Sequence, residues 1–369
     1  MRFKRNTFIS MVPALFVLIC LIAVSGLAAS PASAQQHNQQ RQANAPAAQP
    51  EWQAPGATMA ALKFGPGADQ VGCVDEKTAL YDFISPTSVF YKNGALFILD
   101  APNFRLNKYT AKAPGKPFTF DSAIKLYKKP ASDPAETAAE NAPAAPLFTD
   151  LAVLDNGTIF VASSREKLIY RYDASGALTG KISPRIKLDG ITRIWADSEK
   201  KLLIEDPFAG KIFVINHAGE LIYELDLNFQ PVLLPSGETV RVEYPETPDS
   251  SREINVKIFK IPAKFESASI KAVFHMPVQN FIALGSDASG SSLYAYVVLG
   301  PFNDAPAEAW FVSIDLSSGA VTAKTPAPIS PEMSCMRYVR MTGVEGSFIF
   351  ARSNEDEYLV TKHSLVASR

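Results

Sequence analysis

The sequence predicts an all-β fold of the β-propeller class, and three observations support this prediction. Residues 168–178 align with residues 211–221 at a constant offset of 43. Units of about 40–45 residues that each contain several short strands are typical of propeller blades. Runs such as residues 95–100 are almost wholly apolar, as expected for strands covered on both faces. Beyond the first 34 residues, no long segment shows the 3.6-residue apolar period of a helix.

The clearest unit spans residues 85–109. Its Asn93-Gly94 step supplies the positive φ angles of a tight hairpin, and an apolar strand follows directly. The same pattern recurs in residues 155–172 at an offset of 63. The additional length fits a low-complexity loop at about residues 129–146, which is rich in Ala and Pro. We therefore expect this loop to be an insertion between the first two blades.

A third unit begins near residue 191, and the later units are less regular. Strands are predicted in these units at residues 191–196, 202–206, 212–215, 220–225, 232–234, 239–244, 255–261, 270–274, 281–284, 293–299, 310–315, 336–341, 348–351 and 358–361. The chain length favours six four-stranded antiparallel blades, with seven as the alternative. We expect strands from both chain ends to share one blade, because this closure removes exposed sheet edges.

The first unit resembles an NHL-type propeller repeat. Pro86, Asn93-Gly94, the strand that ends at Asp100 and the following Asn103-Phe104-Arg105 carry the resemblance. The second unit has Ser163 at the aspartate position, whereas the third keeps Asp206. The resemblance covers about 140 residues well. It implies a six-bladed propeller and little about function, because such folds support many functions.

The N-terminus has the features of an export signal. Residues 1–34 combine the basic Arg2, Lys4 and Arg5 with an apolar run and a small-residue cleavage site at 32–34. The alternative is an uncleaved membrane anchor, since the apolar run is long enough to cross a bilayer. Residues 35–56 are rich in Gln, Ala and Pro and are expected to form a disordered tether. Residues 57–369 would then form one propeller domain of a periplasmic or secreted bacterial protein, with no stable membrane span after cleavage.

The cysteine content suggests one disulfide, and the net charge bears on the class of partner. Cys73 and Cys335 remain after signal cleavage, and an isolated pair in an oxidising compartment is often a disulfide. Because one precedes the first blade and the other opens the last unit, we expect them to meet where the ring closes. Two separate buried thiols are the alternative. Without residues 1–34 the net charge is −4, which argues against a nucleic-acid partner.

The candidate ligand-binding residues lie near the starts of the expected innermost strands. They are Arg193, Trp195, Arg337, Tyr338 and Arg340. Arginine beside aromatic side chains suits a carboxylate, a glycan or a peptide. The alternative is that these side chains fill the core and pair with acidic residues such as Glu205 and Asp206.

These features favour a non-catalytic binding or scaffold protein of the bacterial envelope, with a protein, small-molecule or glycan ligand and no cofactor. The sequence contains no G-x-S-x-G motif, and its 4 histidines lack metal-ligand spacing. One alternative is a metal-dependent hydrolase or lactonase that holds a divalent ion, for which the weak ligand candidates are Asp100, Asn103, Glu205 and Asp206. Another alternative is a cell-wall or glycan-binding module that uses Trp195 and Trp310.

Overall fold

The computed structural model describes residues 56–73, 85–113, 116–127, 145–197, 201–226, 232–234, 236, 238–243, 251–260, 265–300, 308–329, 338–353 and 356–367. In these ranges the chain is almost all β, and the single helical segment is one 3-10 turn at Ala101–Asn103. None of its helices is both long and apolar enough to cross a bilayer. The predicted signal peptide, nearly all of the predicted tether, residues 128–144, Cys335 and Arg337 lie outside the described residues.

The strands form six antiparallel sheets, which confirms the predicted six-bladed propeller. Blade one contains β2 (Ser88–Lys92), β3 (Ala95–Asp100), β4 (Arg105–Ala111) and β5 (Phe118–Lys125), and blade two contains β6 (Phe148–Val153), β7 (Ile159–Ser163), β8 (Leu168–Tyr172) and β9 (Leu178–Ile182). Blade three contains β10 (Arg193–Asp197), β11 (Lys201–Asp206), β12 (Lys211–Asn216) and β13 (Leu221–Asp226), and blade four contains β14 (Val232–Leu233), β15 (Glu238–Glu243), β16 (Glu253–Lys260) and β17 (Phe265–Val273). Blade five contains β18 (Val278–Ser286), β19 (Ser292–Leu299), β20 (Glu308–Asp315) and β21 (Val321–Pro326).

Both ends of the described chain take part in closing the ring. Blade six contains β22 (Val339–Met341), β23 (Ser347–Ser353) and β24 (Glu357–Ser364), and its fourth strand is β1 (Ala57–Lys63). β1 pairs antiparallel with β24, so an N-terminal strand completes the last blade as predicted. The short β25 (Val366–Ala367) then pairs with β21 of blade five. The two pairings cover edges that would otherwise be open to other chains.

The hydrophobic core consists of layers between neighbouring blades. Leu99 of blade one packs in one cluster with Phe148 of blade two, and Ile349 of blade six packs in another with Val89 of blade one. This arrangement explains the apolar strands, because a strand such as β3 is covered on both faces and all six of its residues are buried. The innermost strands β2, β6, β10, β14, β18 and β22 lie around the ring axis, where several of them pack against one another.

The sequence predicted the tight turn of blade one but not every strand. Asn93 has φ 50° and Gly94 has φ 74°, which confirms the two-residue hairpin. The outermost strands β5, β9 and β21 were not predicted, because most of their side chains face solvent and carry little apolar pattern. The inner strand β6 was also missed, because a buried aspartate, Asp150, interrupts its apolar run.

Candidate functional site

A cavity of about 170 Å³ lies among the innermost strands β2, β10, β18 and β22. We refer to it as the channel cavity. Its lining residues are Phe90, Arg193, Trp195, Ile282, Ala283, Leu284, Tyr338, Val339, Arg340 and Met341. The structure therefore brings four of the five predicted ligand-binding candidates together, although blade three and blade six supply them from distant parts of the sequence. The fifth candidate, Arg337, lies outside the described residues.

Arg340 belongs to a buried polar network. Its side chain is 8% exposed and contacts the Asp150 carboxylate, whose side chain is 0% exposed. The same guanidinium donates a hydrogen bond to Ser88 Oγ at 3.2 Å and lies 4.7 Å from the centre of the Phe90 ring. Removing one partner of such a buried ion pair leaves an uncompensated charge and is strongly destabilising, so the pair holds together the two strands that carry it.

Asp150 ties several blades together at the channel. Its Oδ1 accepts a hydrogen bond from Ser88 Oγ at 2.5 Å, and its Oδ2 accepts one from the backbone N–H of Ile194 at 2.9 Å. With Arg340, this network joins the innermost strands of blades one, two, three and six. Of the acidic partners expected from the sequence, Glu205 lies in a long ion pair with Arg193, whereas the partner of Arg340 is Asp150, which was not predicted. A lone aspartate in a buried strand was the signal that could have revealed it.

Arg193 stands in a different environment. It lies opposite Glu205 in the β10–β11 pairing, and its Nη1 is 3.8 Å from Glu205 Oε2, which is beyond hydrogen-bonding distance. Its side chain is 30% exposed. Glu205 also accepts a hydrogen bond from Thr192 Oγ1 at 3.2 Å. Arg193 therefore faces the channel cavity with donors that a ligand can reach.

Aromatic side chains form much of the remaining wall. Tyr338 is buried, and its ring packs edge-on against Tyr296 at 6.0 Å and against Phe350 at 5.5 Å. This packing makes Tyr338 a fixed part of the wall. Trp195 is partly exposed and faces the cavity two residues after Arg193, on the same side of β10.

The weak metal-ligand candidates occupy two separate blades. In blade one, Asp100 is buried, and its carboxylate accepts hydrogen bonds from the Gly72 backbone N–H at 2.8 Å, from Asn103 Nδ2 at 2.9 Å and from Arg105 Nε at 2.8 Å. These contacts hold the turn that follows β3. They give a structural role to the aspartate of the repeat pattern.

Asp206 has a corresponding role in blade three. Its Oδ1 accepts hydrogen bonds from the backbone N–H groups of Phe208 and Ala209 at 3.1 and 3.0 Å, and its Oδ2 accepts one from the N–H of Asp189 at 2.6 Å. Across the described ranges, no group of three or more His, Cys, Asp or Glu side chains is arranged to hold a metal ion. The carboxylates of Asp100 and Asp206 thus hold the turns that follow their strands and connect them to the Gly72 and Asp189 backbone.

Trp310 lies in a separate cavity of about 130 Å³. Its lining includes Phe274, which directly follows the last strand of blade four, and Leu299 of blade five. The Lys324 ammonium sits 4.4 Å from the centre of the Trp310 ring, and the indole N–H donates to Glu308 at 2.5 Å. Burial acts to raise the pKa of Glu308, but hydrogen bonds from His275 and Trp310 hold it below its usual value. Trp195 and Trp310 therefore do not form a common surface.

The structure does not test the predicted disulfide, because Cys335 lies outside the described residues. Cys73 is described, and it is exposed. The pairing stays a prediction.

The comparisons with known proteins do not assign the chain to a family. No family model matches the chain, and no curated protein matches it. The NHL resemblance therefore stays a prediction. Among solved structures, the chain is similar to a protein of unknown function from Bacteroides caccae, with 14% identity and a TM-score of 0.42. The match covers 66% of this chain and 82% of that one.

Proposed function

We propose that this chain is an exported, non-catalytic binding or scaffold protein of the bacterial envelope, with an NHL-like propeller that holds a ligand or a partner's side chain in the channel cavity. The observation that carries the proposal is the convergence of Arg193, Trp195, Tyr338 and Arg340 on one cavity. A concave site with a few convergent polar groups among aromatic side chains is the usual form of a small-ligand site.

The surroundings of the cavity favour binding by a rigid site. The cavity walls are β-strands, and the Arg340–Asp150 ion pair links four blades behind them. A preformed site loses little conformational entropy when a ligand enters. The propeller would therefore present its binding groups without a large rearrangement.

The metal-dependent hydrolase is less well supported than the binding role. That chemistry needs carboxylate oxygens that can bind a cation at the channel mouth. Both oxygens of Asp100 and both oxygens of Asp206 already accept hydrogen bonds from their own turns or from neighbouring segments of the chain. A glycan remains an open class of ligand, because Trp195 faces the channel cavity, but Trp310 contributes nothing to that cavity.

A ligand-observed NMR screen with the full chain tests the binding role. Ala283 lines the channel cavity and also packs against the core between blades four and five, so the Ala283→Phe variant, checked for a cooperative melt, should abolish the signals of genuine ligands. Ala123→Phe is the matched control, because Ala123 is exposed on the outermost strand of blade one and should change none of them. Hits that bind Ala283→Phe as well as the wild type, or a diverse screen without hits, would contradict the proposal.

Export has its own test. The intact mass of the protein recovered from a periplasmic extract should correspond to a chain that begins at residue 35. A chain that retains residues 1–34 and sediments with membranes would instead identify the uncleaved anchor.

A further inference from the structure

We infer that the channel cavity selects a compact monocarboxylate with an apolar body, and that Arg193 is the residue that binds the carboxylate. This inference rests on the proposed function and names the class of ligand. A free acid and the C-terminal residue of a peptide share this chemistry, so the experiment below includes both.

The charges around the cavity favour an anion. Among the described residues, two arginines and no acidic side chain line the cavity. Arg340 is already neutralised by Asp150, which is fully buried behind it. Arg193 is the more available of the two cations, since its ion pair with Glu205 is long, at 3.8 Å, and leaves its donors without a direct hydrogen bond to that carboxylate.

A single negative charge fits this site better than two. The planar guanidinium of an arginine can bind a carboxylate through two parallel hydrogen bonds. Glu205 lies close enough to Arg193 to repel any bound anion, and it repels a doubly charged group more strongly than a singly charged one. A phosphate monoester carries nearly two charges near neutral pH and would therefore be disfavoured relative to a carboxylate.

The size and surface of the cavity describe the rest of the ligand. A volume of about 170 Å³ is well below the range of pockets that hold drug-sized molecules, which is roughly 300–1,000 Å³. It resembles the cavities of about 150 Å³ that accept a benzene ring. Phe90, Trp195, Ile282, Leu284 and Met341 supply apolar walls. A phenyl or branched alkyl group attached to the carboxylate matches this space.

Isothermal titration calorimetry with the full chain can test the ligand class. Phenylacetate should bind at least tenfold more tightly than phenylacetamide, which has the same shape without the charge, and more tightly than phenyl phosphate. N-acetyl-glycyl-phenylalanine reports on the peptide source. Binding of phenylacetate alone would indicate a free acid, whereas tighter binding of the peptide would indicate a C-terminus. Both outcomes support the inference.

Arginine variants test the assigned residue. Arg193→Gln should weaken phenylacetate binding at least tenfold, and Arg193→Lys should give an intermediate loss because it keeps the charge but not the two-pronged geometry. Arg185→Gln is the control, because Arg185 pairs with Glu220 on the exposed surface and should leave binding unchanged. Each variant should melt cooperatively at nearly the wild-type temperature.

Two results would overturn the inference. One is equal binding of the amide and the acid, and the other is a folded Arg193→Gln variant that keeps wild-type affinity. If no carboxylate binds, but other screen hits are blocked by Ala283→Phe, the ligand class is wrong while the binding role stands. If Ala283→Phe blocks nothing, the binding role itself fails.

Discussion

Acidification should destabilise this propeller through a buried histidine where the ring closes. His363 lies on β24, is 1% exposed, and is flanked by β1, the strand that completes blade six. Its Nε2 is 2.8 Å from Thr361 Oγ1, and its ring centre is 5.2 Å from that of Phe311. Gly56 covers the ring so closely that a Cβ there would lie 2.5 Å from it. Water therefore has little access to a charged imidazole.

The magnitude follows from the difference in proton affinity between the folded and unfolded states. Burial lowers the pKa of His363 from 6.5 to about 4. Between these values the unfolded chain binds a proton that the folded chain does not, so the free energy of unfolding falls as the pH falls. The full loss below pH 4 is roughly 3 kcal/mol, and about 2 kcal/mol should already be lost between pH 7.5 and pH 5.

Urea denaturation of the wild type and of His363→Gln at several pH values between 5 and 7.5 measures this loss. The variant should be less stable at pH 7.5, because it disturbs the packing, but it should lose most of the pH dependence. His217→Asn is the comparison, since burial also lowers the pKa of the less buried His217 and this variant should remove a smaller part of the slope. The reasoning fails if His363→Gln keeps the wild-type slope across this range.

Three further predictions concern the fold and its closure. Asp150→Asn should destabilise the protein by about 3–5 kcal/mol in urea denaturation, because it leaves the Arg340 charge buried, and a loss below about 1 kcal/mol would contradict the assigned network. Gly94→Ala should cost about 1 kcal/mol for its positive φ alone, whereas Gly319→Ala should cost clearly more because its Cβ would lie 2.1 Å from a backbone oxygen. Equal losses in the two glycine variants would count against the described contact. Non-reducing peptide mapping of the exported protein should recover Cys73 linked to Cys335, and separate alkylated peptides would refute the pairing.

The repeating parts of the fold could be predicted from the sequence because a strand that is buried on both faces is apolar along almost its whole length. The strand Ala95–Asp100 reads as a continuous apolar run, and all its residues are buried. The Asn93-Gly94 step marks its hairpin because few other residues adopt positive φ. The strand Leu178–Ile182 has no such apolar run, because its residues are mostly exposed and pair through the backbone.

The candidate site could be predicted only in part. Arg193 and Trp195 were identifiable because they begin an inner strand, and position near the axis follows from the blade pattern. The partner of Arg340 was not identifiable, since Asp150 is 190 residues away and belongs to a strand that the sequence did not reveal. Long-range pairing around a ring depends on blade order and register, which a local pattern does not contain.

The structure of the full chain with the tightest-binding ligand from the screen is the most direct test of the central claim that the channel cavity is the binding site. We predict that the ligand lies among Phe90, Arg193 and Trp195, with its anionic group on Arg193 if the inferred ligand class is also correct. A ligand bound on the outer edge of a blade, with the cavity unchanged, would contradict the account.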